Sequence, residues 1–292
     1  MALLRLRITG LAVLLLLGGA CRRDLSSPRA SIVLISLDTV RADHLSLYGS
    51  ARATSPYLSE LAERCVTFER AIAQSGSTFP SHRSILTSRY AWHIGESDAR
   101  LAEVLKEAGY VTAGFTGGGN VAGELGFSRG FDVWSEAKAG HRTFDAVLPA
   151  LRRWLASRRR DTPSFLFLHT YDPHHPYDPP APYDSLFLSD YAGPVTGPAT
   201  GELLAKLARV PPFADFKGEV PLSAADRDKI VALYDGQLRY VDDRLREVFA
   251  ALQDSGLLDR SVVVLTSDHG EEFWEHGGVL HSHTIHQELV HV

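Results

Sequence analysis

Three stretches of the chain put metal-type side chains directly after short apolar runs. Asp38 follows residues 31–37, His169 through His175 follow residues 164–168, and Asp268 with His269 follows residues 261–266. Asp38, Asp268 and His269 form a mixed oxygen and nitrogen donor set, suited to Mg, Ca, Mn or Zn and not to a thiolate metal. Neither of the two cysteines, Cys21 and Cys65, is placed to serve as a ligand. Histidine is also unevenly spread, since six of the 13 (positions 269, 276, 281, 283, 286 and 291) fall in the last 24 residues. A core does not need that density, but a metal or anion site uses it.

Residues 76–84 read GSTFPSHRS, with Pro80 placed for the first turn of a helix running to about Ser88. Thr78 then lies at the helix N-terminus, where backbone N–H groups and the positive end of the dipole favour an anion and can stabilise an alkoxide nucleophile. A plain N-cap is the other reading of the same residue. Residues 171–180, YDPHHPYDPP, form a proline-stiffened loop that holds His174 and His175 between Pro173 and Pro176. An imidazole there can protonate a leaving oxygen or bind an anion, and the alternative is a solvated pair.

These groups need elements to carry them. The 292 residues are 45% apolar and 22% charged, which excludes disorder over most of the length. Lys plus Arg number 30 against 35 Asp plus Glu, and a net charge of -5 gives no reason to expect a nucleic-acid partner. Strands are expected at 31–37, 110–115, 164–168 and 261–266, as runs buried on both faces of a parallel sheet. Helices are expected after Ser55 as N-cap and Pro56 at N1, then over 99–108, over 143–158, and from a capping box at Ser223 and Asp226 to about Asp254. This βαβα alternation predicts an α/β fold, a parallel-rich sheet sandwiched by helices, with ligands at the carboxyl edge of its strands. Residues 185–222 read as an irregular surface insertion, and Cys65, before Val66 and Phe68, as core.

The N-terminus has the three parts of an export signal. Arg5 and Arg7 precede the apolar run 8–17, and Gly18-Gly19-Ala20 precede Cys21. The run is short of the about 20 residues a spanning helix needs. A cysteine after small residues resembles the bacterial lipoprotein signal. The expected organisation is a signal peptide over 1–21, a polar linker over 22–30 and one catalytic domain over 31–292. The protein is then exported to the periplasm or cell envelope and lipid-anchored, touching the membrane only through that anchor or the signal segment.

The series ISLDTVRADHLSLYG (35–49), STFPSHRSILTSRY (77–90), LAEVLKEAGYVTAGFTGG (101–118), FLFLHTYDPHHPYDPP (165–180), LYDGQLRYVDDRL (233–245) and VVVLTSDHGEEFWEHGG (262–278) resembles the sulfatase family of the alkaline phosphatase superfamily, in family order over residues 31–292. The resemblance implies a hydrolase that holds one divalent cation, Ca, Mg or Mn with Zn also possible, against the anionic head of an ester on a small molecule or glycan. Asp38, Asp268 and His269 match metal-ligand positions, with Thr78 beside them as nucleophile and fourth donor. His174 matches the histidine that protonates the leaving alcohol. His281 or His283 falls where the family contacts the anion, and His82 and Arg83 fall in the nucleophile motif on the substrate side.

The chain also departs from the family. Active sulfatases carry Cys or Ser, oxidised to formylglycine, in C/S-x-P-S-R; here the motif runs Thr78-Phe79-Pro80-Ser81-His82, with Arg83 one place late, and Thr lacks the chemistry for that maturation. Thr39 stands where a second acid or amide is expected, and FTGGGN (115–120) lacks the Lys and His of the central G-K-x-H segment. Three functions follow: a Thr-nucleophile hydrolase of sulfate or phosphate-type esters, a non-catalytic binder of anionic glycans, and a phosphoryl-group transferase of the phosphoethanolamine type. Residues 288–292 read as the start of another buried strand, so a chain truncated at its C-terminus is expected.

Overall fold

The computed structural model describes residues 29–138 and 142–292, so the expected signal peptide and all but the end of the linker lie outside the described residues. Five parallel strands form the central sheet: β1 (Ser31–Leu37), β2 (Val111–Thr116), β3 (Val133–Glu136), β4 (Ser164–Thr170) and β5 (Ser261–Ser267), in the order β3-β2-β4-β1-β5. Leu37 is level with Thr170 of β4 and with Ser267 of β5. The three chemistry-bearing loops therefore leave the same edge side by side.

Side chains alternate across a strand, so each strand feeds both faces. Val33, Ile35, Leu37, Leu166 and Leu168 pack against α4 (Thr143–Ser157) and α6 (Ala224–Asp254). Leu34, Phe165 and Phe167 pack on the other face, against α2 (Thr78–Thr87) and α3 (Leu101–Glu107). By the same parity Ser36 and His169 point to the α2 face, which becomes important at the site.

Two buried carboxylates tie helices to this frame. Asp242 of α6 accepts from the N–H groups of Tyr57 and Leu58 at 2.8 and 2.9 Å, at the start of α1 (Pro56–Ala62). Ser55, expected to cap that helix, instead accepts from Ser46 N–H at 2.8 Å, because the acid from α6 already holds the helix N-terminus. Asp172, after β4, accepts from Thr143 and Phe144 N–H at 2.6 and 2.9 Å and so caps α4. The Ser223 and Asp226 capping box opens α6 as expected.

Four expectations are corrected. The 185–222 stretch contains a regular helix, α5 (Ala199–Ala208), which packs Leu204 into the core beside Pro176 and the Val279–Leu280 strand. β5 is an edge strand rather than buried on both faces, with Val262 and Val264 56% and 44% exposed. Cys65 is exposed, together with Val66 and Phe68, because α1 ends at Ala62 and the chain there runs over the surface. Residues 288–292 do not begin a strand of the sheet. They form the one-turn α7 (Gln287–Val290) and a single antiparallel bridge between His291 and Ile72.

Candidate active site

At the carboxyl edge, Asp38 leaves β1 and Asp268 with His269 leaves β5, and all three are wholly buried. One ligand atom from each lies within 4.8 Å of the others. The turn after Asp38 is strained: Thr39 sits at φ 58°, a rare conformation for a β-branched residue. Thr39 N–H donates to Asp268 Oδ1 at 3.3 Å, and the Thr39 carbonyl accepts from Tyr234 at 2.7 Å, which over-determines the turn. Behind Asp268 only glycine fits at 270, since a Cβ there would meet the Glu288 carbonyl oxygen at 2.0 Å. Gly270 and Glu271 N–H donate to the Leu289 and Glu288 carbonyls, so the terminal turn braces the loop.

The donor set fits a cation. Asp38 Oδ1 is buried without a hydrogen-bond partner, and Asp268 Oδ2 makes no well-directed hydrogen bond, having only ion-pair approaches, the nearer from His82 Nδ1 at 3.2 Å; this is a costly state for carboxylates unless an ion takes the place of the missing donors. His269 donates from Nδ1 to the Gly270 carbonyl at 2.9 Å, which leaves Nε2 as the lone-pair nitrogen. Thr78 Oγ1 is 3.2 Å from that Nε2. Burial alone would raise the Asp38 carboxyl, but His169, His174 and His269 around it hold it well below the usual carboxylate range.

Thr78 is the first residue of α2, with Ser77 before it in an extended conformation. The N-cap reading of Thr78 is thus replaced by a position inside the helix start, where first-turn N–H groups have no intrahelical acceptor. Pro80 carries no N–H, so the first-turn donors are Thr78 and Phe79. Ser81 Oγ donates to the Asp268 carbonyl at 2.6 Å and pins this helix start to the β5 loop.

His82 and Arg83 do not line the opening. His82 is fully buried beneath the carboxylates, with Nδ1 3.0 Å from the Thr78 carbonyl and 3.2 Å from Asp268 Oδ2, and Nε2 2.9 Å from Ser36 Oγ. Burial lowers its proton affinity, yet the Asp268 charge outweighs that and raises it. Arg83 turns outward to the Gly95 carbonyl at 3.2 Å and lies over Phe79. The reason is helical phase: at four residues from Thr78, His82 faces the sheet and its neighbour faces solvent.

Around the mouth stand His174, His175 and His281, whose ring nitrogens form a second cluster within 4.8 Å. His281 is carried there by the antiparallel hairpin of β6 (Glu272–Phe273) and β7 (Val279–Leu280). His174 donates from Nδ1 to the His175 carbonyl at 2.6 Å, leaving Nε2 for the site, and burial lowers its proton affinity. His175 is pushed down to about 3 by burial and the neighbouring His174. His283 is placed elsewhere: it pairs with the buried Glu272 at 2.7 Å, so of the two candidate anion contacts only His281 joins the cluster.

Sequence analysis passed over Glu271 and named His169 only as the start of the run after residues 164–168, without a role. Glu271 is completely buried, accepts from Tyr177 at 2.7 Å and pairs with His281 Nδ1 at 2.8 Å. Against the pull of burial, His281 brings the Glu271 carboxyl down to about 2, and Glu271 raises His281 to about 9. The signal for Glu271 was its place three residues after Asp268, but nothing local separates it from Glu272. His169 lies 3.5 Å from Asp38 Oδ2 and stands edge-on to His82, with Tyr171 covering it. The Tyr171 ring also fills the space over Gly117, where a Cβ would meet it at 2.4 Å, so the glycine segment is occupied by an aromatic ring.

A family model described as "Sulfatase" matches residues 30–290. The chain belongs to the sulfatase family. Human N-sulphoglucosamine sulphohydrolase is 27% identical over 285 residues, covering 89% of this chain and 53% of the relative. Among solved structures, the phosphonate monoester hydrolase of Agrobacterium radiobacter superposes with a TM-score of 0.69 at 19% identity, covering 90% of this chain and 67% of that one. The soluble domain of lipooligosaccharide phosphoethanolamine transferase A from Neisseria meningitidis gives 0.68 at 22% identity, over 92% and 76%. These two likenesses show the fold: this sulfatase-family chain has the α/β architecture expected from its strands. It spans 53–59% of the length of the curated sulfatases that match most of it.

Proposed function

We propose that this chain is an exported, metal-dependent hydrolase of sulfate or phosphate-type esters with Thr78 as nucleophile. The observation that carries the reading is Thr78 Oγ1 at the N-terminus of α2, 3.2 Å from His269 Nε2 and beside the buried carboxylates of Asp268 and Asp38, the latter with Oδ1 unpartnered. Asp38, Asp268, His269 and Thr78 would hold the cation. Two carboxylates, one imidazole and a hydroxyl suit Zn or Mn better than Ca, which takes six to eight oxygens. When bound, the cation neutralises charge on the ester head and lowers the pKa of the Thr78 hydroxyl.

The side chains supply the rest. Thr78 Oγ forms a bond to sulfur or phosphorus as the bond to the alcohol breaks, and the hydroxyl proton passes to solvent. His174, with Nε2 free and a bound anion to raise its proton affinity, gives one proton to the departing oxygen. Water then cleaves the Thr78 ester, releasing the acid and restoring the hydroxyl. His281 contacts the anion throughout. The residue type of Thr78 also supports a second reading, phosphoryl-group transfer to an alcohol acceptor, because Thr cannot become formylglycine and the fold is shared with a phosphoethanolamine transferase. Export rests on residues 1–21, with Cys21 as a lipid attachment point; among the described residues no helix is long and apolar enough to cross a membrane.

The test is a panel of aryl sulfate, phosphate, phosphate-diester and phosphonate substrates with Mn, Zn, Mg or Ca. Turnover of at least one is expected, and Thr78→Ala should lower it by about 10³-fold or more. Turnover that survives Thr78→Ala removes the nucleophile assignment. A metal-dependent rise in melting temperature without any turnover turns the reading to a non-catalytic anion binder.

A further inference from the structure

Behind the three-histidine mouth lies a carboxylate that neither the cation nor the proposed chemistry uses. Glu271 is wholly buried, yet both its oxygens are engaged: Oε2 by the Tyr177 hydroxyl at 2.7 Å and Oε1 by His281 Nδ1 at 2.8 Å. Tyr177 is itself fully buried between Tyr234 and Phe273, so the hydroxyl that steadies the carboxylate cannot swing away. A carboxylate only accepts, so Nδ1 of His281 carries its hydrogen and Nε2 is the nitrogen presented to the mouth. The ring lies 4.6 Å from His269 and 5.0 Å from His174, centroid to centroid, between the cation side and the leaving-group side. The backbone bears the mark of the same constraint, because Leu280 and Ser282, the residues on either side of His281, have φ of 67° and 75°. Two non-glycine residues in the left-handed region around one histidine persist only when the surroundings hold them there, and such strain clusters at working sites.

We propose that Glu271, steadied by Tyr177, is a positioning residue that aims His281 Nε2 at the oxygens of the bound tetrahedral anion. The role rests on the ester reading for its substrate but is defined by anion binding, so it can be tested without turnover. In the Mn-loaded native chain, inorganic phosphate binding is measured by calorimetry, with Mn affinity determined in parallel. Glu271→Gln keeps a hydrogen-bond partner but loses the charge, and should weaken phosphate by about 10-fold or more while leaving Mn affinity within about 2-fold, since a charge-assisted bond is at stake. His281→Ala should show the same loss, and the double variant no further loss, because both changes remove one unit. Tyr177→Phe keeps the ring packing and should give a smaller loss in the same direction, which serves if Glu271→Gln does not fold.

Phosphate affinity unchanged in Glu271→Gln, loss of Mn together with phosphate, or losses that multiply in the double variant would each overturn the proposal. Failure of the native Mn-loaded chain to bind phosphate overturns it as well. If the native chain binds phosphate but cleaves no ester in the panel, the hydrolase reading fails while the calorimetry still decides the role of Glu271.

Discussion

At the residue scale, the site is a set of buried charges that the protein only half compensates. Asp38 keeps an oxygen without a donor, while His82 against Asp268 and the Glu271–His281 pair beside them carry the internal balance. His82 occupies the place of an arginine in the family motif, which explains why the shift of Arg83 by one position did not leave the inner side of α2 empty. A cation that binds the folded chain stabilises it by mass action, about 2.7 kcal/mol at 100 times its dissociation constant. Excess Zn or Mn is therefore expected to raise the melting temperature, and a chelator to reverse this. Asp268→Asn keeps the shape and the carbonyl acceptor of Thr39 N–H but removes one of the two anionic donors. Its metal affinity should fall by at least the about 10- to 100-fold that loss of an outer partner of a metal ligand costs. A metal titration followed by thermal melting checks this, and an undiminished shift would take Asp268 out of the ligand set.

Elements place these residues through loops rather than through their own interiors. Parallel pairing brings the ends of β1, β4 and β5 level, so three segments far apart in sequence emerge together. Asp172 couples that edge to α4: its carboxylate takes the Thr143 and Phe144 N–H groups, and it sits two residues before His174. Asp172→Ala leaves those donors unpaired and frees the histidine loop. It should cost about 1–2 kcal/mol, the usual worth of a helix cap. The urea midpoint should fall with the slope unchanged. A stability equal to that of the native chain would mean that Thr143 or water caps the helix instead.

At the scale of the whole molecule, the two edges of the sheet differ among the described residues. β3 ends one edge as a short four-residue strand, but β5 presents a seven-residue edge, SVVVLTS, without a charge or a proline. Beside it lies an apolar groove lined by Leu47, Tyr48, Cys65, Val66, Phe68 and Val264. An uncharged open edge is a template for pairing with another chain, and natural sheets guard such edges with lysine or proline. The described domain is therefore expected to self-associate with rising concentration. Val264→Lys, on an exposed face of β5, should reduce that association, as read by light scattering or sedimentation, with metal-dependent stability retained. Association that ignores this substitution would place the contact elsewhere.

Much of the architecture was legible in one dimension, because strands buried on both faces are continuous apolar runs and helices announce their ends. The strands at 31–37 and 164–168, the long helix from Ser223 and the helix beginning at Thr78 all follow from such local signals. So does the convergence of Asp38, Asp268 and His269, since parallel strands must share one carboxyl edge. Sequence could not tell that β5 lies at the edge, as burial of a valine depends on which strand becomes its neighbour. Nor could it tell which face of α2 His82 takes, or that Glu271 rather than Glu272 turns inward to His281. Those choices follow from a hairpin folded back over the loop and from helical phase against a particular sheet. Residue type and spacing decide what chemistry is available, while the partners of a buried charge are decided by segments far away in the chain, because only packing brings them within hydrogen-bond distance.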